Sequence, residues 1–134
     1  VSAIRIAAAV IVDGEGRTLL VRKRGTAAFM QAGGKIGAGE TPQEALRREL
    51  LEELGCGLAG MPVALGRFRA PAANETGRTV EAELFAVTLA GEIRPAAEIE
   101  DAIWHNPNDV ESIVLAPLTR DHVLPIARDL GRRK

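Results

Sequence analysis

The stretch GKIGAGETPQEALRRELLEELGC, residues 34–56, decides how this chain is read. Glycine recurs from Gly33 to Gly39, so its first part cannot hold regular structure. A helix start follows at once. Thr41 is a good N-cap, Pro42 suits the first helical position, and Glu44 completes a capping box. The helix is expected to run to about Leu54, with Gly55 as its left-handed stop. Take about 100° per residue and set Arg48 at zero; Glu52, Glu49 and Glu53 then fall at roughly 40°, 100° and 140°. Leu46, Leu50, Leu54 and Leu51 cover roughly 160° to 300°. The leucines make one stripe, and three carboxylates crowd the stripe beside it. Arg47 interrupts the apolar side and is expected to snorkel.

Two readings of the carboxylates compete. On a solvated face they need only the Arg48–Glu52 pair, worth about 0.3–0.5 kcal/mol. At a partly buried site, two carboxylates about 4 Å apart repel by about 4 kcal/mol. A divalent cation would relieve that, and hard oxygen ligands select Mg²⁺, Mn²⁺ or Ca²⁺.

The surrounding residues decide between them. Gly34, Glu40, Arg48-Glu49-Leu50, Glu52-Glu53 and Gly55 stand at fixed intervals. This pattern resembles the signature of the Nudix hydrolases, the MutT-like family. Ala32-Gly33-Gly34-Lys35 resembles the loop that leads into it, where the family usually has proline at Ala32. Cys56 takes the closing aliphatic position, and Glu98-Ile99 with Trp104 resembles the family's later segment. The resemblance implies the Nudix fold, a mixed β-sheet sandwiched between helices. It implies Glu49, Glu52 and Glu53 as ligands of Mg²⁺ or Mn²⁺, with the carbonyl of Gly33 as a further donor. Glu49 or Glu53 would orient or deprotonate the attacking water. Arg48 would hold Glu40 or Glu52 in place, and Glu40 would be that partner or an outer ligand. The pattern also suits the chemistry. A diphosphate bridge is anionic and poorly electrophilic, so its hydrolysis needs cations on its oxygens and a positioned water.

Outside the motif, Ile4 to Val12 reads as a buried strand and Thr18 to Arg24 as a second. Asp13 to Gly16 is a turn, so the two look like a hairpin, with Arg22 and Arg24 on one face and Lys23 on the other. Val63 to Ala70 and Val80 to Leu89 read as strands, and Ile103 to His105 as a short one. Thr119 is placed to cap a last helix that buries Val123, Ile126, Ala127 and Leu130 and stops at Gly131, with Pro125 bending or shortening its start. This order predicts one α/β (α+β) layered domain with a mixed sheet over residues 1–134.

Composition narrows the function. Hydrophobic residues are 46% and charged residues 26% of the 134, enough for a core without staples. The net charge of −1 gives no field to hold long nucleic acid, and Arg132 to Lys134 read as a solvated helix end. With no Tyr, three Phe and one Trp, few side chains can stack on bases. No run is long enough to span a membrane. Cys56 is the only cysteine, which fits a reducing, cytoplasmic setting and excludes an internal disulfide.

For substrate contacts, Arg24 and Arg22 read as phosphate partners or as solvated strand residues, and Lys35 likewise. Glu98 reads as a late ligand or base, or as a surface carboxylate. Trp104 reads as a base-flanking ring or a core residue, and Asn106 as a base reader or a turn residue before Pro107. The leading expectation is hydrolysis of a nucleoside triphosphate, or a related small nucleotide, to monophosphate and pyrophosphate. ADP-ribose or nucleotide-sugar hydrolysis is the second reading; Pro71 lies near where ADP-ribose hydrolases carry proline. A catalytically silent nucleotide-binding module is the third. Isoprenyl diphosphate isomerases use a related fold, but no cysteine is evidently placed for that chemistry. Oligomeric state stays open.

Overall fold

The computed structural model describes residues 3–133; Lys134 therefore lies outside the described residues. The elements are β1 (Ile4–Val10), β2 (Thr18–Lys23), β3 (Phe29–Met30), β4 (Gly33–Lys35), α1 (Pro42–Leu54), β5 (Gly57–Leu58), β6 (Val63–Pro71), β7 (Thr79–Ala86), β8 (Leu89–Ala90) and β9 (Ile99–His105). A π-type turn over Thr119–Val123 then leads into α2 (Leu124–Arg132). A mixed four-stranded sheet runs β4-β1-β7-β6, with β1 and β7 parallel. A three-stranded antiparallel sheet runs β3-β2-β9, and β5 pairs with β8.

β1 organises these layers because it is buried on both faces. Side chains alternate along a strand, so Ala7 and Ala9 point one way, Ala8 and Val10 the other. Ala7 and Ala9 join a cluster with Leu46, Leu50 and Leu54 of α1 and Leu19 and Val21 of β2. Ala8 and Val10 join a second cluster with Leu84 of β7 and Val123 and Ala127 at the last helix. The mixed sheet thus lies between two helices, as the sequence predicts. Burying each α1 leucine contributes about 1.5–3 kcal/mol.

Several local expectations are corrected. The β1–β2 hairpin exists only at its turn, where Val12 bridges Thr18 and the Leu19 amide donates to the Ile11 carbonyl. Beyond it the strands part. Both edges of β1 are taken by β4 and β7, so β2 pairs with β3 and β9 instead. The strand read over Val80 to Leu89 ends at Ala86, and Leu89 belongs to the separate β8. The strand read as Ile103–His105 begins at Ile99, four residues earlier in its pairing with β2. Leu51 lies outside the buried stripe at 61% exposed, beside the exposed Arg47; the side of α1 facing the core is narrower than the wheel suggests.

The last helix differs most. Thr119 is not its cap; its hydroxyl is buried and donates to Gln31. The turn over Thr119–Val123 widens ahead of Pro125, which lacks an N–H and whose ring would clash with the carbonyl four residues back. Gly131 does not stop the helix, which continues to Arg132. A Cβ there would sit 3.4 Å from Gly16, so this glycine serves a close approach to the first turn.

Candidate functional site

α1 presents the acidic face. Thr41 caps it, its Oγ1 accepting from the Glu44 amide while Glu44 accepts from the Thr41 amide, and Gly55 ends it in the left-handed conformation at φ 67°. The three carboxylates are placed very differently. Glu53 is 3% exposed, because its position on the helix adjoins Leu46 and Leu50. Its Oε1 accepts the Gly33 amide at 3.1 Å. Burial, foremost, pushes its carboxyl up to about 7, the Gly33 amide opposes this, and the negative charges of Glu49 and Glu98 add to it. Lys23 pulls the other way. Glu49 lies half-buried against Gly34, where a Cβ would fall 2.5–2.7 Å from its carboxylate. Only glycine leaves that carboxylate room. The Glu52 side chain is 52% exposed.

Arg48 ties the helix to the glycine loop. Its Nε donates to Glu40 Oε2 at 2.7 Å and its Nη2 to Glu40 Oε1 at 2.8 Å, a two-pronged bond. It also donates to Glu49 at 2.8 Å and to the Lys35 carbonyl at 3.1 Å, and stands 3.5 Å from Glu52. Glu40 takes the Gly37 amide at 2.7 Å as well, so its carboxyl is held down at about 2 by Arg48 first and that amide second. Lysine has no planar fork. Arg48→Lys is expected to lower kcat/KM by about 10–100-fold, with the melting temperature changed only modestly because both side chains still reach solvent, at 38% and 23% exposed. Steady-state kinetics beside a thermal melt checks this, and unchanged kcat/KM would show the clamp to be idle.

The residues fit a hard divalent cation by donor chemistry. Glu49, Glu52 and Glu53 offer only carboxylate oxygens, and Glu53 is buried beside Glu49 with the Gly33 backbone amide donating to it. Among the described residues, no three acidic, histidine or cysteine side chains converge as a ready-made metal cage. Arg48 draws Glu49 aside, and Glu53 is turned onto Gly33. At Gly33 it is the amide that meets this acidic face.

A cavity of about 150 Å³ borders Gly33 and Gly34. Ile4, Ile6, Met30, Val80 and Leu118 give it apolar walls, Lys23 and Lys35 line it, and the loop after β6 closes one side. Lys35 is joined to that loop through Glu75 at 3.5 Å.

Sequence reasoning favoured Arg22 and Arg24 and missed Lys23. Arg22 is spent on Asp101 (3.0 and 2.5 Å) and on the Thr26 carbonyl. Arg24 lies past the end of β2, in a turn, 3.6 Å from Glu100. Lys23 shares a strand face with Leu19 and Val21, which pack against α1, so it faces the acidic side. That parity was the available signal. It was masked because Leu20, on the opposite face, is apolar and buried too. Glu98 pairs with Lys23 at 3.2 Å near Glu53. Trp104 is 38% exposed, so it is not a core residue, and it lies outside the cavity wall. Asn106 is a turn residue whose Oδ1 accepts the Asn108 amide.

The model of the NUDIX domain matches residues 3–127. This chain belongs to the Nudix family. A relative, the isopentenyl-diphosphate Delta-isomerase of Leifsonia xyli, is 34% identical over 118 residues, which are 79% of this chain and 63% of that protein. The 8-oxo-dGTP diphosphatase of Haemophilus influenzae is 43% identical over 56 residues, 39% of this chain and 41% of that one. The chain spans less than two thirds of the length of the curated relatives it matches. The crystal structure of a MutT Nudix hydrolase from Burkholderia pseudomallei superposes with a TM-score of 0.75 at 24% identity, covering 96% of this chain and 98% of that one. That likeness is one of fold. Among the described residues no helix is long and apolar enough to cross a membrane.

Proposed function

We propose that this Nudix chain hydrolyses a phosphoanhydride of a nucleoside triphosphate or related nucleotide, with Mg²⁺ or Mn²⁺, giving the monophosphate and pyrophosphate. The observation that carries this reading is that Gly33 and Gly34 join two features. They touch Glu53 and Glu49, and they also line a cavity with apolar walls and lysines. Glu49, Glu52 and Glu53 would hold the cation, which would neutralise the phosphate oxygens and make phosphorus more open to attack. Glu49 or Glu53 would take the proton of the attacking water. Lys23 and Lys35 meet the phosphate charge, while Arg48 and Glu40 keep the glycine loop against α1. The apolar walls take the nucleoside part, and a small cytoplasmic nucleotide is the expected substrate.

The test is a panel of nucleoside triphosphates, ADP-ribose and nucleotide sugars with Mg²⁺ and Mn²⁺, read by chromatography of the nucleotide products together with pyrophosphate release. Pyrophosphate from a triphosphate is expected. Two monophosphates from ADP-ribose alone would move the assignment to the second reading, and no release from any member overturns it. Isopentenyl diphosphate belongs in the panel because one relative bears that name. No isomer is expected from it. The only thiol, Cys56, is buried in the core, with Sγ 3.0 Å from the Glu92 carbonyl, and does not line the cavity.

A further inference from the structure

Gln31 sits in the wall of the cavity at 6% exposed, between the apolar Met30 and the glycine pair. A glutamine there loses water from its amide and must recover hydrogen bonds. One is recovered, at its oxygen. Thr119 Oγ1, itself buried, donates to Gln31 Oε1 at 2.7 Å across 88 residues of chain. The threonine hydroxyl has a single proton, and it is spent here. Thr119 is the first residue of the widened turn, so Pro125 downstream shapes the backbone that delivers it. With the hydroxyl donating to Oε1, Nε2 is the half of the amide left to look outward. The Nε2 group carries two donors. Among the described residues it has no hydrogen-bond partner, yet it is not sealed from solvent, so it opens on the cavity.

We propose that Gln31 is a specificity-determining residue that donates from Nε2 to a carbonyl oxygen on the ligand's base, with Thr119 as the positioning residue that orients it. The proposal rests on the nucleotide reading above and names the class of base. A base that offers a carbonyl on this edge completes the pair. A base with an exocyclic amine there sets donor against donor and leaves both without an acceptor. Lys23 and Lys35 are donors as well, so neither supplies the missing acceptor. The site therefore selects keto bases over amino bases.

Two substrate pairs differ in little else: ITP against ATP, and UTP against CTP. With the whole chain and Mg²⁺, kcat/KM is expected to favour the keto member of each pair by roughly 10–100-fold. Gln31→Leu removes the donors and is expected to bring the ratio near one. Thr119→Val frees the amide to turn over and is expected to do the same, while Thr119→Ser keeps the hydroxyl and the ratio. A purely structural role would lower melting temperature and all four rates together and leave the ratios untouched. Ratios near one in the unaltered protein, or ratios unmoved by Gln31→Leu and Thr119→Val, overturn the proposal. Should either variant fail to fold, the ratios of the unaltered protein and of Thr119→Ser still decide it. Absence of turnover on all four nucleotides overturns the nucleotide reading itself, which is a different result from equal turnover.

Discussion

Glu53→Gln is expected to lower kcat by about 10²–10⁴-fold while raising the stability of the metal-free protein above pH 7. The two effects share a cause. Glu53 is the most buried of the three carboxylates, and among the described residues its side chain meets a backbone amide but no cation within hydrogen-bond reach. Its carboxyl titrates at about 7 in the folded protein, against 4.5 for an ordinary glutamate. Between those values the folded state holds a proton that the unfolded state has released. Stability therefore falls as pH rises through that window, and the full loss remains above it. The shift corresponds to a penalty on the order of 3 kcal/mol. Glutamine keeps an oxygen for the Gly33 amide and carries no charge, so it escapes the penalty. Urea melts of both proteins in EDTA at pH 5 and pH 8 check this. The variant should gain on the original by about that amount at pH 8 and by little at pH 5. Near-normal turnover would remove Glu53 from the site, and equal stability at both pH values would show that its burial costs nothing.

Gly33→Ala is expected to be the most damaging small substitution in the chain. Gly33 has φ +145°, and a Cβ would lie 2.3 Å from the Ala7 carbonyl oxygen and 2.6 Å from the Ala8 Cα. Both are backbone atoms of β1, which is held on each edge by hydrogen bonds and cannot yield. The cost should exceed about 3 kcal/mol, a value reached only by strain or loss of packing, and the melting temperature should fall by about 10 °C or more. Gly34→Ala is the informative contrast. Its Cβ would meet the Glu49 carboxylate, the free end of a side chain. The melting temperature should move little, but displacing that carboxylate by about 1 Å should cost on the order of 10²-fold in kcat/KM. Thermal melts and steady-state kinetics on both variants separate the two. Equal loss of stability in both would refute the distinction.

The glycine loop, the capped helix and the acidic stripe were legible because each is a local device. Thr41, Pro42, Glu44 and Gly55 act within a turn or two of themselves, and the motif's spacing is a property of one helix face. The strand pairings were not. The expected hairpin failed beyond its turn because competition for the edges of β1 involves β4 and β7, the latter about seventy residues away in sequence. The substrate side was less legible for a related reason. Arg22 and Arg24 were plausible cations, but their carboxylate partners lie on β9, which no local pattern pairs with β2. Trp104 read as a base-flanking ring or a core residue, and its 38% exposure removes the second.

By itself, then, the sequence determined the family, the helix that bears the carboxylates and the two-helix layering around a mixed sheet. Period, capping and spacing are all encoded within single elements. Only the tertiary structure decided that Glu53 is buried while Glu52 is exposed, that Lys23 rather than Arg22 faces the acidic helix, and that Gln31 meets Thr119 in a cavity wall. Those properties depend on what the opposing element brings. Burial and hydrogen-bond partnership are set across the gap between elements, and no residue carries them alone.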